Sequence, residues 1–109
     1  MQKEDESIQF SDDIELLPIG TVVKLKKVEK PVMIYGRHQM QTSSRHIYDY
    51  IAVPYPEGNI TDDFNMFFNR NMIEEVLHLG YETAEEKEMR EKVEFDIQST
   101  RKQSKLFEQ

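Results

Sequence analysis

Cysteine is absent from this 109-residue chain, and with it any disulfide framework or Cys-based zinc site that could brace a small fold. Its hydrophobic core must hold it unaided. The four glycines, at positions 20, 36, 58 and 80, stand alone, so no glycine-rich loop is available to cradle a phosphate. A basic excess is also missing. Fourteen Lys and Arg face twenty-one Asp and Glu, for a formal net charge of −7. No basic face exists to release counterions from a phosphate backbone, which argues against a nucleic-acid partner. No apolar run approaches the roughly 18 residues of a membrane span, and the opening MQKEDESIQFSDD has neither the basic start nor the apolar stretch of a signal peptide. The expectation is a cytoplasmic protein without membrane insertion.

Catalytic signatures are scarce as well. His38, His46 and His78 lie far apart with no HxH or HExxH spacing, so a metal site would require a chance convergence. Ser43 and Ser44 beside His46 form the one cluster with the residue types of nucleophilic catalysis, yet no GxSxG elbow surrounds them. The adjacent acids Asp62-Asp63 and Glu74-Glu75 are explained by solvation in an acidic protein. These patterns predict no catalytic residue, cofactor or metal. A small enzyme using Ser44 and His46 is the remote alternative.

What the chain does contain is unevenly distributed. Residues 1–17 carry one Lys and six acids, residues 18–81 carry seven of each sign, and residues 82–109 carry six basic and eight acidic side chains. A polar, acidic arm is expected over 1–13, followed by a neutral domain over 14–81 and a charged helix over 82–109. Within the domain, TVVKLK at 21–26 alternates as a half-buried strand does, with Val23 and Leu25 against Lys24 and Lys26. VMIYGR at 32–37 reads as a second strand, making a hairpin with the first. Residues 38–45 form a longer loop or an extension of the flanking strands. IYDYIAV at 47–53 is the strongest strand, and alternation puts Tyr48, Tyr50 and Ala52 on one face and Ile47, Asp49, Ile51 and Val53 on the other. FNMFF at 64–68 supplies a short strand. Residues 72–79 fit either a helical turn followed by a last strand or one short helix.

Thr83-Ala84-Glu85-Glu86 is a capping box, in which the Thr hydroxyl takes the N3 amide and Glu86 reaches back to the cap. The helix that starts there has a narrow apolar stripe, Met89, Val93 and Ile97, four residues apart. Such a helix is marginal alone, so the stripe must lie on the domain, on a second copy in a homodimer, or on a partner. Five short strands are too few for a sandwich. The fold class is therefore α+β: a small, strongly bent antiparallel sheet or partly open SH3-like barrel, followed by a long C-terminal helix.

The segment YDYIAVPYPEGN is the richest in information. Two prolines must leave the sheet ladder, and Tyr offers a large contact area at low entropy cost, so the loop is a candidate contact site. The residues it nominates for protein binding are Tyr48, Asp49, Tyr50, Tyr55, Pro56, Glu57, Gly58 and Asn59, with Met89, Val93 and Ile97 on the helix. Tyr48 and Tyr50 fit core packing equally well. Asp49, a carboxylate on a strand, needs hydrogen-bond donors.

Taken in order, LLPIGTVVKLKK, PVMIYGR, YDYIAVPYPEGN and MFFNRNMIEEVLHLGY resemble a family of short, uncharacterised proteins of Gram-positive bacteria, a domain of unknown function. Members of that family are typically encoded beside type VII secretion genes and LXG-type toxins. The resemblance implies an adaptor, accessory or chaperone whose partner is an LXG-type toxin or another secretion-locus protein. An immunity protein that neutralises such a toxin is the alternative. No WxG turn is present, so the chain is not itself a WXG-type helical hairpin.

Overall fold

A computed structural model describes residues 15–108, the helix beyond Lys102 by its backbone alone. The arm expected over 1–13 lies outside the described residues. Five strands follow in chain order: β1 (Val22–Leu25), β2 (Val32–Met40), β3 (Ile47–Pro54), β4 (Met66–Phe68) and β5 (Ile73–His78). They form one antiparallel sheet in the order β4-β3-β2-β1-β5, and helix α1 (Ala84–Glu108) comes last.

Short turns set this order. β1 and β2 are joined through a turn in which Lys27 takes a left-handed φ of 63°. β2 and β3 extend toward each other and close on a tight turn, where Gln41 N–H donates to the His46 carbonyl and Arg45, at φ 67°, donates to the Gln41 carbonyl. Of the two readings of 38–45, strand extension is thus the one adopted. Residues 72–79 also resolve: a 3-10 turn over Arg70–Met72 precedes β5, and no short helix forms there.

β4 and β5 are the edge strands, yet the chain passes from one to the other through only residues 69–72. A flat sheet would hold its two edges roughly 19 Å apart, from four spacings of about 4.8 Å. A 3-10 turn rises only about 2 Å per residue, so the sheet must bend to bring its edges together at that end. It stays open, because no ladder joins β4 to β5. The architecture is therefore the expected α+β one: a bent, open, five-stranded sheet followed by a C-terminal helix.

The core sits inside the bend. Val23, Leu25, Val32, Ile34, Tyr50, Ala52 and Phe68 meet Leu16 from the lead-in and Ile97 from α1, with Val93 packed alongside. The Tyr50 and Phe68 rings meet nearly edge to face at 5.3 Å. Helix α1 thus lies on its own domain. The Thr83 hydroxyl accepts from the Glu86 amide at 3.0 Å, as the capping box requires. The Glu86 carboxylate, however, turns to Arg37 and Arg90.

Candidate protein-binding surface

The two faces of the sheet differ in what covers them. On the core side α1 is fastened mainly by arginines. Arg90 is buried and donates to the Leu16 carbonyl at 2.9 Å, to Glu82 at 2.7 Å and to Glu86. Arg37 reaches the Leu17 carbonyl and Glu86 from β2. Further along, Asp49 accepts from the Arg70 amide and Nε, both at 2.9 Å, and from Arg101 of the helix at 2.8 Å, while Arg70 also donates to Glu94. Burial alone would raise the Asp49 carboxyl, but the Arg70 side chain and amide, with Arg101, hold it below the usual carboxylate range. Burial and its two carboxylate partners act on Arg70 in opposite senses, and the partners prevail, so its guanidinium is raised further. This side of the sheet is a closed structural joint.

Several nominated residues belong to that joint. Asp49, Tyr50 and Ile97 are buried and offer no contact surface, which corrects their nomination as binding residues. Asp49 is held by the ion pairs just described. Tyr50 donates area to the core and accepts the Leu17 amide on its hydroxyl at 2.9 Å; burial pushes its phenol up to about 12. Strict alternation along β3 fails here, since Asp49 and Tyr50 are both buried in succession. Val93 is half-buried against the core. Met89, at 52% exposed, has left the apolar stripe, because the inward face of α1 runs through Glu86, Arg90, Val93 and Ile97.

The outer face is covered less completely: Val22 and Val53 are buried, Met33, Ile51 and Phe67 are half-buried, and Tyr35 is exposed. On β1, β2, β3 and β4 the positions alternating with the core include Lys24 and the apolar Val22, Met33, Tyr35, Ile51, Val53 and Phe67, matched across the ladders as Val22 to Met33, Met33 to Val53 and Ile51 to Phe67. Tyr48 joins them, its ring 5.8 Å from Phe67 and 6.3 Å from His46. Gly36 permits a close approach in this layer, since a Cβ there would meet Ile51 Cγ2 at 2.8 Å.

Two clefts open on this face. One, of about 530 Å³, is lined by Val22, Met33, Tyr55 and Leu77 among others. The other, of about 630 Å³, lies over Tyr35, Ile51 and Phe67, between the turn at 41–43 and Asp62-Asp63. The Pro-rich loop reaches the first cleft through Tyr55, which is exposed, as are Pro56, Glu57 and Asn59. Gly58 takes φ +82°, a conformation that suits glycine. Glu57 pairs with Lys30 at 2.7 Å, which lowers its carboxyl, and Asn59 accepts from Asn65. The structure thus brings Tyr48 and Tyr55 to the outer face, while Met89 stands apart on the helix. Tyr35, Met33, Ile51 and Phe67 escaped sequence reasoning, although the doubled apolarity of β2 and β3 carried the signal.

Elsewhere the Ser44 hydroxyl donates to Gln41 Oε1 and accepts the His46 amide, so it is engaged within its own turn. Among the described residues no group of three His, Asp or Glu is placed to hold a metal ion, and no helix is long and apolar enough to cross a membrane. No curated protein and no solved structure matches the chain. A family model does, over residues 16–89, from the lead-in through the first turns of α1, and the chain belongs to that family: Domain of unknown function (DUF4176).

Proposed function

We propose that the chain is a non-enzymatic adaptor or chaperone that binds an LXG-type toxin, or another protein of a type VII secretion locus, through the outer face of its sheet. One observation carries the binding role. An antiparallel sheet with one face on the core ordinarily turns polar residues outward, whereas here Met33, Tyr35, Ile51 and Phe67 on the adjacent strands β2, β3 and β4 are apolar and at least partly exposed, with Lys24 the polar exception on β1. A contiguous apolar surface of this kind on a small domain marks an interaction site. The choice of partner rests on the resemblance of the YDY…PYPEGN and neighbouring segments to proteins encoded at such loci.

The test is co-purification of the chain with the LXG protein of its own locus, comparing wild type with Met33→Asp and Tyr35→Asp. Capture by wild type and loss in both variants, with unchanged thermal unfolding, supports the reading. A chain that captures no product of its locus sinks it. Protection of cells against the isolated toxin domain, without any effect on toxin export, replaces the adaptor with an immunity protein.

A further inference from the structure

The second cleft of the outer face combines two kinds of chemistry. Its floor is aromatic and aliphatic: Tyr35, 43% exposed, stands beside Ile51 and Phe67. Its wall is acidic, since Asp62 and Asp63 occupy the first turn of a 3-10 segment whose cap, Thr61, accepts the Asp63 amide at 3.1 Å. Both carboxylates are exposed, and neither makes an ion pair among the described residues.

The aromatic floor is also held in position. The Tyr35 hydroxyl is fixed by Asn65, whose Nδ2 donates to it at 3.2 Å, so the ring is held in place at the cleft.

From this juxtaposition we infer that the cleft over Tyr35 and Phe67 binds an arginine side chain, presented by an apolar segment of a protein partner. The guanidinium is planar, stacks on an aromatic face through its cation–π attraction, and carries five donors in a fork that suits carboxylate oxygens. A lysine ammonium matches the charge but neither the stacking nor the fork. Apolar neighbours of the arginine then rest on Ile51 and Met40. The inference deepens the proposed function and rests on its assignment of the outer face.

The experiment uses the full chain and a synthetic peptide, acetyl-Gly-Leu-Arg-Leu-Gly-amide, followed by amide chemical shifts. Saturable shifts are expected at Asp63, Asn65 and Phe67. They vanish when citrulline replaces arginine, and the Asp62→Asn/Asp63→Asn double variant binds about fivefold more weakly, as two exposed charge contacts allow. Absent saturation, equal binding of the citrulline peptide, shifts confined to another surface, or an unaffected double variant each overturns the inference. Capture of a secretion-locus protein is a separate readout. The peptide can fail while capture succeeds, which removes the arginine subsite alone, and capture can fail while the peptide binds, which removes the partner alone.

Discussion

Removing the Asp49 carboxylate is the perturbation that most directly tests how the helix is held. Asp49 is 1% exposed and accepts from the Arg70 amide, Arg70 Nε and Arg101 Nη2 at 2.8–2.9 Å. Asp49→Ala takes from Arg70, itself only 2% exposed, the buried carboxylate that pairs with it, while Glu94 stays at the edge of the joint. Breaking a buried pair from one side costs about 3–5 kcal/mol, because a charge is stranded away from water. Arg101→Ala should cost no more than about 1 kcal/mol, since that side chain is a third exposed and its pairing is screened. A domain of this size has roughly 5–15 kcal/mol in total, so Asp49→Ala should lower the melting temperature by about 15–30 °C. Urea unfolding followed by helical circular dichroism measures both variants. The reasoning adds a control: Asp49→Leu/Arg70→Met removes both charges together and should recover most of the loss. A single variant that costs less than about 1 kcal/mol, or a double variant no better than the single, would refute the account of a charge-fastened joint.

The depressed Asp49 carboxyl also fixes the direction of acid lability: its stabilisation is complete above the ordinary carboxylate value and is lost as pH falls through the lower folded value, so acid unfolding should be shallower in Asp49→Ala. Tyr50 works in the opposite direction. Its phenol is raised from 10.0 to about 12, so its neutral form stabilises the fold below pH 10, and on the order of 2–3 kcal/mol disappears between pH 10 and 12. Tyr50→Phe should abolish that alkaline limb in denaturation profiles while costing about 1 kcal/mol at neutral pH for the lost Leu17 bond. On the helix, Ile97→Ala should cost about 2–5 kcal/mol and Met89→Ala less than about 0.5, measured by urea midpoints, because only Ile97 faces the core. Gly80→Ala should cost about 3 kcal/mol in calorimetry, since its Cβ would stand 2.3 Å from the Ile19 carbonyl oxygen and 3.0 Å from the Thr21 nitrogen, both of them backbone atoms.

Alternation and turn chemistry made the strands legible. Val23 and Leu25 against Lys24, the strand exit at Pro56 and the Thr83 N-cap all report local physics and lie where that physics puts them, whereas Pro54, also expected to leave the ladder, stays in it opposite Val32. Three features were not legible, for one shared reason. Asp49, Arg70 and Arg90 are buried against partners distant in sequence: Asp49 meets Arg70 twenty-one residues away and Arg101 across fifty-two, and Arg90, neutralised locally by Glu82 and Glu86, is also fixed to the Leu16 carbonyl seventy-four residues away. A window of residues cannot display such a match, so charges on α1 read as solvated and Met89 read as part of the seam. The outer face was hidden differently. Met33, Tyr35, Ile51 and Phe67 each follow a core residue along the strand, and apolar residues on both sides of a strand signal burial without saying what buries them.

These two arrangements explain how stability and recognition can be separated in so small a molecule. A domain of about a hundred residues has one core, and a second apolar face normally competes with it for the same helix. Here the competition is decided by charge. Arg90 on α1 donates to the Leu16 carbonyl and Arg101 to Asp49, both on the core side, so the helix has a specific electrostatic address there. At the second cleft of the outer face the charged lining residues are Asp62 and Asp63, whose carboxylates the acid-rich first turns of α1 would avoid. The helix is therefore directed to one face and repelled from part of the other. Substitutions among the arginine joints should change unfolding without changing the outer surface, and substitutions at Tyr35 or Asp63 should change binding without changing unfolding.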